Sequence, residues 1–246
     1  MEKKNIHGVM IDNATMDEAL DYVLDMLKNS GPTKIYTPNS EIIMQANRDP
    51  ELREILNQAD LLIADGAGVV LASKIINNKL KQKVSGIDLV KRILINTDRR
   101  PTSFFIFGGK PGVAEQAVIN ILSEFPRADI KGYQNGYFTP EEEEDIIKKI
   151  NDSKAEILLV GLGAPKQEKW IHENASRLKC KIAMGIGGSI DVFAGTASLA
   201  PEFMRRAGLE WLYRLIKEPK RYKRMMDLPR FIMLSIRQRL KNKTGA

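Results

Sequence analysis

The sequence predicts an α/β protein: a mostly parallel, Rossmann-like sheet with helices on both faces, followed by a basic helical appendage. Short apolar runs alternate with amphipathic stretches through the first 200 residues, which is the pattern of consecutive βαβ units. After residue 200, three prolines and a glycine divide the chain into short basic segments, and a proline suits the start of a helix. We therefore expect a body over residues 1–200 and an appendage over residues 201–246.

Six strands are expected in the body, because six short apolar runs are separated by helical stretches. In chain order the strands are KIYTP, LLIAD, SFFIFGG, DIKGY, EILLVGLG and KIAMGIGG. The helices between them are NSEIIMQANRD, GAGVVLASKII, PGVAEQAVINILSEF, TPEEEEDIIKKIN and APKQEKWIHENASRL. The acidic run TPEEEE is explained as a helix start, since Thr139 and Glu142 can form a capping box around Pro140. In a sheet of this kind, ligands bind at the carboxyl ends of the strands.

The composition restricts the class of protein further. The chain has 246 residues, of which 43% are hydrophobic, and this is enough for one large core. Its single cysteine, Cys180, excludes an internal disulfide and fits a reducing compartment. We find neither an apolar signal segment nor a run near the ~18 residues that span a bilayer, so we expect a cytoplasmic protein.

The positive charge is concentrated in the appendage. The whole chain carries a net charge of +7, while residues 201–246 hold 13 Lys and Arg against 4 Asp and Glu. The body is therefore close to neutral. A basic tail on a neutral body indicates an anionic partner, such as phospholipid, nucleic acid or a phosphate-bearing ligand.

Several kinds of catalytic site have little support in the sequence. Only His7 and His172 are available for a Ser-His-Asp or Cys-His arrangement. Zinc-ligand spacing, the Walker A pattern and the D-x-D pattern of metal-bound nucleotide sugars are all missing. DGAGVV and VGLGAP contain G-x-G without the third glycine, so a nicotinamide fingerprint is weak.

Polar residues at two strand ends are candidates for chemistry. Asp65 ends LLIAD, where a carboxylate either faces the ligand crevice or caps the following helix, for which Asp is a favoured residue. Its position does not decide between these roles. Thr37 and Asn39 end another strand and could position hydroxyl or amide groups of a ligand, although Asn39 could equally be a helix cap.

Three further strand ends are rich in glycine. They are FGGKPG with Gly108 and Gly109, GLGAPKQ, and GIGGSID with Gly187. Glycine lets the backbone approach a ligand closely, and helix N-termini bind phosphate. Three such turns in one sheet indicate a nucleotide ligand. Tyr137 could stack on the base of that nucleotide or could be a core aromatic residue.

These motifs occur together in the bacterial TagA/WecG/CpsF glycosyltransferase family, which this chain resembles. The matching segments run in order from about residue 35 to residue 225: TPNSE, ADGAGVV, SGIDL, FGGKPGVAEQA, GYFTPEEE, VGLGAPKQEKWI, GIGGSIDVFAG and GLEWLYRLIKEPKRYKR. GAPKQE and the LEWLYRL tail are the most specific of them. Many members have Arg where this chain has Lys83, and Arg-Ala-Pro where it has Leu199-Ala200-Pro201.

The resemblance implies an inverting transfer of N-acetylmannosamine from UDP-ManNAc to N-acetylglucosaminyl-diphospho-undecaprenol in wall teichoic acid synthesis, with no metal or other cofactor. It suggests Asp65 as the base that takes the acceptor proton, with Thr37, Asn39 and Gln167 in the pocket. Together with the glycine-rich turns, it gives a set of residues that bind the nucleotide sugar and its phosphates: Lys83, Gly108, Gly109, Tyr137, Gly187, Asp191, Arg214, Arg221 and Arg224.

The appendage suits an acceptor that hangs from a lipid. Arg214, Arg221 and Arg224 would lie on one face of a helix, or converge from two helices if Pro219 breaks it, and arginine binds phosphate bidentately. The last segment, DLPRFIMLSIRQRLKNK, is amphipathic, with its apolar side at Leu228, Ile232, Ile236 and Leu240. We expect it to lie on an anionic membrane, at the inner face of the plasma membrane. The alternative is that it packs on the body or on a second subunit.

Other functions remain open at this point. A non-catalytic basic module for nucleic acid would have its basic and aromatic residues along a groove rather than in one tail, so we expect no nucleic-acid partner. A nicotinamide-dependent oxidoreductase is the alternative among enzymes. Within the family, UDP-ManNAc uronate and UDP-glucose are alternative donors, and a homo-oligomer is possible.

Overall fold

A computed structural model of the chain describes residues 1–97, 100–219 and 222–244, and their side chains except those of residues 223, 224 and 242–244. Two strands, β1 (Lys3–Ile6) and β2 (Val9–Asp12), form an antiparallel hairpin. Six strands form one sheet in the order β4-β3-β8-β7-β5-β6, and all neighbours pair in parallel. They are β3 (Thr33–Tyr36), β4 (Leu61–Leu62), β5 (Ser103–Gly108), β6 (Asp129–Gln134), β7 (Ile157–Gly161) and β8 (Ile182–Gly185). The predicted parallel sheet is confirmed.

Helices alternate with these strands and continue to the end of the described chain. In the body they are α1 (Met16–Met26), α2 (Ser40–Ala46), α3 (Pro50–Asn57), α4 (Ala67–Ile75), α5 (Gly86–Asn96), α6 (Val113–Glu124), α7 (Glu143–Asp152), α8 (Lys166–Asn174) and α9 (Ser189–Phe193). In the appendage they are α10 (Glu202–Arg206), α11 (Glu210–Lys217), α12 (Tyr222–Met225) and α13 (Asp227–Thr244). The predicted capping box of Thr139 and Glu142 is confirmed, at a 3-10 turn (Pro140–Glu142) that leads into α7.

Both faces of the sheet are buried except at the edge strand β6, whose residues are exposed or half-buried, and this explains why most of the other strands read as apolar runs. In β5, Phe105 and Phe107 point into one cluster of buried residues, whereas Phe104 and Ile106 point into another. The first cluster also contains buried side chains of α2, α3, α4, α7 and α8, and the second those of α1, α5, α6 and α9.

The neighbouring strands β3 and β8 open a crevice at their carboxyl ends. The chain leaves β3 into α2 on the first face and leaves β8 into α9 on the second, as shown by Ile43 in the first cluster and Ile190 in the second. Neighbouring parallel strands whose connections diverge in this way leave room for a ligand between them.

The helix α13 packs on the body, which is one of the arrangements that the sequence left open. Phe231 is fully buried in the first cluster, and Ser235 Oγ lies 2.8 Å from His7 Nε2. The predicted apolar side is split, since Ile232 packs partly against the core while Ile236 is exposed. In the part of the chain that is described, no helix has the length and apolarity to cross a membrane.

Candidate active site

A cavity of about 100 Å³ lies between the carboxyl ends of β3 and β4 and the appendage. Its wall includes Asn39, Asp65 and Ser189 from the body and Arg205, Glu210, Trp211 and Arg214 from the appendage. The fold thus brings together three residues that the sequence predicted, Asn39, Asp65 and Arg214. The cavity is smaller than the roughly 300–1,000 Å³ of typical ligand pockets.

Asp65 is half-buried in this cavity, and its Oδ2 accepts a 3.4 Å hydrogen bond from the N–H of Gly86 at the start of α5. Burial raises the pKa of Asp65 to about 6, while Arg214, the Gly86 N–H and Lys83 act in the opposite direction. Asp65 does not cap the following helix, because Gly66 holds the N-cap position of α4. A carboxylate with this pKa is ionised at neutral pH and can still accept a proton, as a general base must.

Asn39 and Thr37 both lie beside this carboxylate. Asn39 caps α2, since its Oδ1 accepts a 3.1 Å hydrogen bond from the N–H of Ile42, and it also lines the cavity. Thr37 packs against Gly86: a Cβ added to Gly86 would lie 2.9 Å from Thr37 Oγ1. Thr37 therefore contacts the residue whose N–H holds Asp65.

Two ion pairs join the appendage to the body at the rim of the cavity. Lys83 Nζ lies 2.9 and 3.0 Å from the two carboxylate oxygens of Glu210. Arg205 donates to both carboxylate oxygens of Asp88, at 2.8 and 2.6 Å, and its Nε lies 3.6 Å from Glu210. Lys83, a predicted phosphate ligand, is thus paired with a carboxylate of α11.

Of the three predicted phosphate-binding arginines, the structure describes Arg214 in full. Its guanidinium group makes no hydrogen bond with any described residue, and its charge lowers the pKa of Asp65. Arg221 lies outside the described residues, and so does the side chain of Arg224. The convergence of the three arginines stays a prediction.

Gln167 and Gly187 contact each other but do not line the cavity. Gln167 is 3% exposed, and its Oε1 accepts a 2.9 Å hydrogen bond from the N–H of Gly187. Two residues further on, Ser189 lines the cavity. Ligand contacts by Gln167 and Gly187 stay a prediction.

The other glycine-rich strand end packs closely against protein. A Cβ on Gly108 would overlap the backbone of Gly161 in the neighbouring strand, and one on Gly109 would lie 2.7 Å from a methyl carbon of Val113. Both glycines have positive φ values, 142° and 68°. Close packing and turn geometry therefore account for these two glycines, and their contact with a nucleotide stays a prediction.

Tyr137 and Asp191 lie outside the cavity wall. Tyr137 is 65% exposed, so it is not a core aromatic residue. Asp191 is half-buried in the first turn of α9, where burial raises the pKa of its carboxyl group and Lys110 lowers it. The nucleotide contacts predicted for both residues stay predictions.

Sequence reasoning did not single out Arg205, Glu210 or Ser189 as site residues. Glu210 lies in the segment GLEWLYRLIKEPKRYKR, but its partner Lys83 is 127 positions away, and spacing carries no signal for such a pair. Across residues 1–97, 100–219 and 222–244, no group of three or more Asp, Glu, His or Cys side chains could hold a metal ion.

Known proteins resemble this chain along nearly its whole length. The profile of the glycosyl transferase WecG/TagA/CpsF family matches residues 4–245. The N-acetylglucosaminyldiphosphoundecaprenol N-acetyl-beta-D-mannosaminyltransferase of Bacillus subtilis (strain 168) is 32% identical over 245 residues, which cover 99% of this chain and 95% of that protein. Two proteins of the same name are similar: that of Bacillus spizizenii, 35% identical over 80% of this chain and 76% of its own, and that of Staphylococcus aureus (strain MRSA252), 32% identical over 94% and 91%.

Proposed function

This chain belongs to the WecG/TagA/CpsF family of glycosyltransferases, and from that premise we propose that it transfers N-acetylmannosamine from UDP-ManNAc to N-acetylglucosaminyl-diphospho-undecaprenol with inversion. The names of the three relatives specify this acceptor and this sugar, which supports both for the present chain. The observation that carries the proposal is the pairing, in one cavity, of Asp65 from the body with Arg214 from the appendage.

Asp65 is the general base of the proposed reaction. Its carboxylate takes the proton of the acceptor hydroxyl group while that oxygen bonds to the anomeric carbon of the donor. The bond from this carbon to the diphosphate oxygen breaks, and UDP leaves with the electron pair. A single displacement from the opposite side inverts the anomeric centre. The pKa of about 6 supports this role, because Asp65 is ionised before the step and accepts a proton readily during it.

Arg214 stabilises the departing diphosphate. A guanidinium group binds phosphate oxygens through two parallel hydrogen bonds and keeps its charge at every working pH. The guanidinium group of Arg214 makes no hydrogen bond with the described residues, and Arg214 lines the cavity, so this group is available to the leaving diphosphate. Arg221 and Arg224 follow it in the appendage, and we assign them the same task. With its cations supplied by the protein, the reaction needs no metal.

Opening of the appendage admits the donor. The cavity of about 100 Å³ is too small for a nucleotide sugar, and its outer wall is formed by α10 and α11. The ion pairs Lys83–Glu210 and Asp88–Arg205 hold this wall in place. Displacement of α10 and α11 therefore enlarges the cavity, and their return places Arg214 on the bound diphosphate.

The acceptor places the enzyme at the inner face of the plasma membrane as a peripheral protein. Its lipid cannot leave the bilayer, so the enzyme must reach the sugar at the surface. Exposed apolar side chains of the appendage, among them Phe203, Ile216, Met233 and Ile236, support this attachment together with the basic residues around them.

A donor panel tests the proposal. The protein is incubated with a short-chain lipid diphospho-GlcNAc acceptor and one of three donors, UDP-ManNAc, UDP-ManNAc uronate or UDP-glucose. The products are identified by their masses in mass spectrometry. We expect one N-acetylhexosamine to be added from UDP-ManNAc and no product in the Asp65→Asn control. Product from another donor only would move the specificity to that sugar, and no product from any donor would overturn the proposal.

A further inference from the structure

Gln167 and Glu168 form a buried polar pair at the start of α8, and the proposed reaction gives Glu168 no task. Gln167 is 3% exposed and Glu168 is 1% exposed. Gln167 Nε2 donates a 2.8 Å hydrogen bond to Glu168 Oε1, while Gln167 Oε1 accepts one of 2.9 Å from the N–H of Gly187. Both ends of the Gln167 amide are therefore held by the protein.

The carboxyl group of Glu168 lies in a place that is costly for it. Its Oε2 is buried and makes no hydrogen bond with any described residue. Burial raises the pKa of Glu168, and the hydrogen bond from Gln167 opposes this. A buried polar atom without a partner costs free energy that an apolar side chain of similar size would avoid. Glu168 contributes a hydrogen-bond acceptor, Oε1, to which Gln167 Nε2 donates.

This acceptor orients the amide of Gln167. Without it, the oxygen and the nitrogen of the amide could exchange places by rotation about χ3, which is a broad torsion. Only the oxygen can accept from the N–H of Gly187. The bond from Gln167 Nε2 to Glu168 therefore selects the orientation in which Gly187 is bound.

The backbone around Gln167 is shaped to receive it. A Cβ added to Gly185 would lie 2.9 Å from Gln167 Nε2 and 3.2 Å from Cδ, so the amide rests directly on the last residue of β8. Gly187 has a φ of +50°, a conformation that favours glycine, and its N–H donates to the amide oxygen of Gln167. The fit of Gln167 accounts for Gly185, and the left-handed backbone conformation accounts for Gly187.

The pair also connects the two strands that open the crevice. Tyr36, the last residue of β3, donates from its hydroxyl group to the backbone carbonyl of Glu168 over 3.3 Å. Thr37 is the next residue after Tyr36 and Asn39 lies three residues after it, while Ser189 of the cavity wall lies two residues after Gly187. The end of β3 and the loop after β8 are thus both bonded to the first turn of α8.

We infer that Glu168 is a positioning residue that acts through Gln167: its carboxyl group holds the Gln167 amide on the Gly187 N–H and thereby fixes the loop after β8 to the first turn of α8, to which the end of β3 is also bonded. The inference rests on the proposed function for its effect on turnover. Its effect on the Gly187 N–H is independent of any reaction.

The first measurement is hydrogen exchange of the Gly187 amide in the full-length protein, followed by NMR. Glu168→Ala removes the acceptor, and we expect exchange at Gly187 to accelerate about tenfold, as for the loss of one buried hydrogen bond. Glu168→Gln keeps an accepting oxygen and should leave exchange at Gly187 close to that of the wild type. The N–H of Ile186 is the internal control, because it donates to the carbonyl of Val160 at 2.8 Å and not to Gln167.

The second measurement is a double-mutant cycle on turnover. Glu168→Ala and Gln167→Ala should each lower kcat about tenfold, and the double variant should be no slower than Gln167→Ala, because the two residues act as one unit. Glu168→Gln should restore turnover to near the wild-type value. A purely structural role for Glu168 would instead make the two losses multiply.

The two measurements separate failure of the inference from failure of the proposed function. Unchanged exchange at Gly187 in Glu168→Ala would overturn the inference, as would multiplied losses in the double variant or a Glu168→Gln variant as slow as Glu168→Ala. A wild-type protein that transfers no sugar would overturn the proposed function instead, and the exchange data would then decide the inference alone. If Glu168→Ala does not fold, the comparison of Glu168→Gln with Gln167→Ala decides: equal loss in both overturns the inference.

Discussion

Lys83 and Glu210 form an ion pair in which one ammonium group contacts both carboxylate oxygens, at 2.9 and 3.0 Å. Lys83 lies just before α5 of the body, and Glu210 is the first residue of α11 in the appendage. Asp88 and Arg205 repeat the arrangement with the charges exchanged between body and appendage. The appendage is therefore held over Asp65 by two ion pairs of opposite polarity.

Exchanging the charges of the first ion pair tests its role. Lys83→Glu places like charges together, and we expect kcat/KM to fall about tenfold because the wall that carries Arg214 is displaced. Adding Glu210→Lys re-forms the ion pair and should restore part of the loss, because the new ammonium group also lies near Arg205. Steady-state kinetics and calorimetric binding of UDP measure both variants.

The same experiment decides whether Lys83 binds phosphate itself, as the sequence predicted. A phosphate ligand cannot be replaced by a carboxylate, so the double variant would then be no better than Lys83→Glu. The matched control is Lys91→Glu, which breaks the 2.9 Å ion pair with Glu124 and should leave kcat/KM unchanged.

Asp65→Asn should abolish turnover and leave UDP affinity nearly unchanged. An amide has the shape of the carboxyl group and still accepts from the Gly86 N–H, but it cannot take up a proton. Loss of a general base costs about 10²–10⁴-fold in rate. Turnover close to that of the wild type would show that another group is the base.

The pH dependence of kcat/KM should show an acidic limb near pH 6. Asp65 must be ionised to act, its pKa is raised by burial to about 6, and activity therefore falls as the pH drops through that value. Arg214→Gln should move the limb to higher pH, because Arg214 lowers this pKa, and Glu210→Gln should move it to lower pH. If the acidic limb stays at the same pH in both variants, it reports the titration of a group other than Asp65.

Much of the fold could be predicted from the sequence, because strands such as β5, β7 and β8 are buried on both faces and therefore read as unbroken apolar runs. The hairpin of β1 and β2 and the helices α1, α3, α5 and α9 were not predicted. A signal for α1 was present, since Thr15 and Glu18 form a capping box at its start.

The candidate site was predictable where a residue ends a strand and not where distant side chains meet. Asp65 and Asn39 could be found from strand ends, and Arg214 from the charge of the appendage. The pairing of Arg205 with Asp88 joins residues 117 positions apart, and only the packed structure brings them together. The burial of Gln167 was also not predicted, because the motif GAPKQE does not distinguish a glutamine that contacts a ligand from one that is buried in the protein.

Chelation of divalent metals should not slow the reaction. The leaving diphosphate is stabilised by arginine in the proposed mechanism, and the sequence lacks the D-x-D pattern that would hold a metal beside it. Initial rates with and without EDTA should agree. A rate that collapses in EDTA and returns with Mg²⁺ or Mn²⁺ would show that the arginines are insufficient.

The outer face of α13 should attach the protein to anionic membranes without taking part in the reaction. Met233 and Ile236 are 51% and 46% exposed on this face, whereas Phe231 on the opposite face is fully buried in the core. Deleting α13 would remove Phe231 from the core, so substitutions on the outer face are the cleaner test. We expect Met233→Glu/Ile236→Glu to lose co-sedimentation with phosphatidylglycerol vesicles and to keep the turnover of a water-soluble acceptor.

Binding of the protein to vesicles should depend on salt and on the charge of the lipid. Each basic residue near an anionic surface contributes about 1 kcal/mol, so binding of the wild type should weaken as salt is added and should fail on zwitterionic vesicles. Ile119→Glu changes a side chain of similar exposure, 55%, on α6 and should bind vesicles like the wild type. If the doubly substituted protein binds as tightly as Ile119→Glu, α13 does not contact the membrane. If it loses turnover of the soluble acceptor as well, α13 supports the active site itself, since Leu228 of this helix lines the cavity.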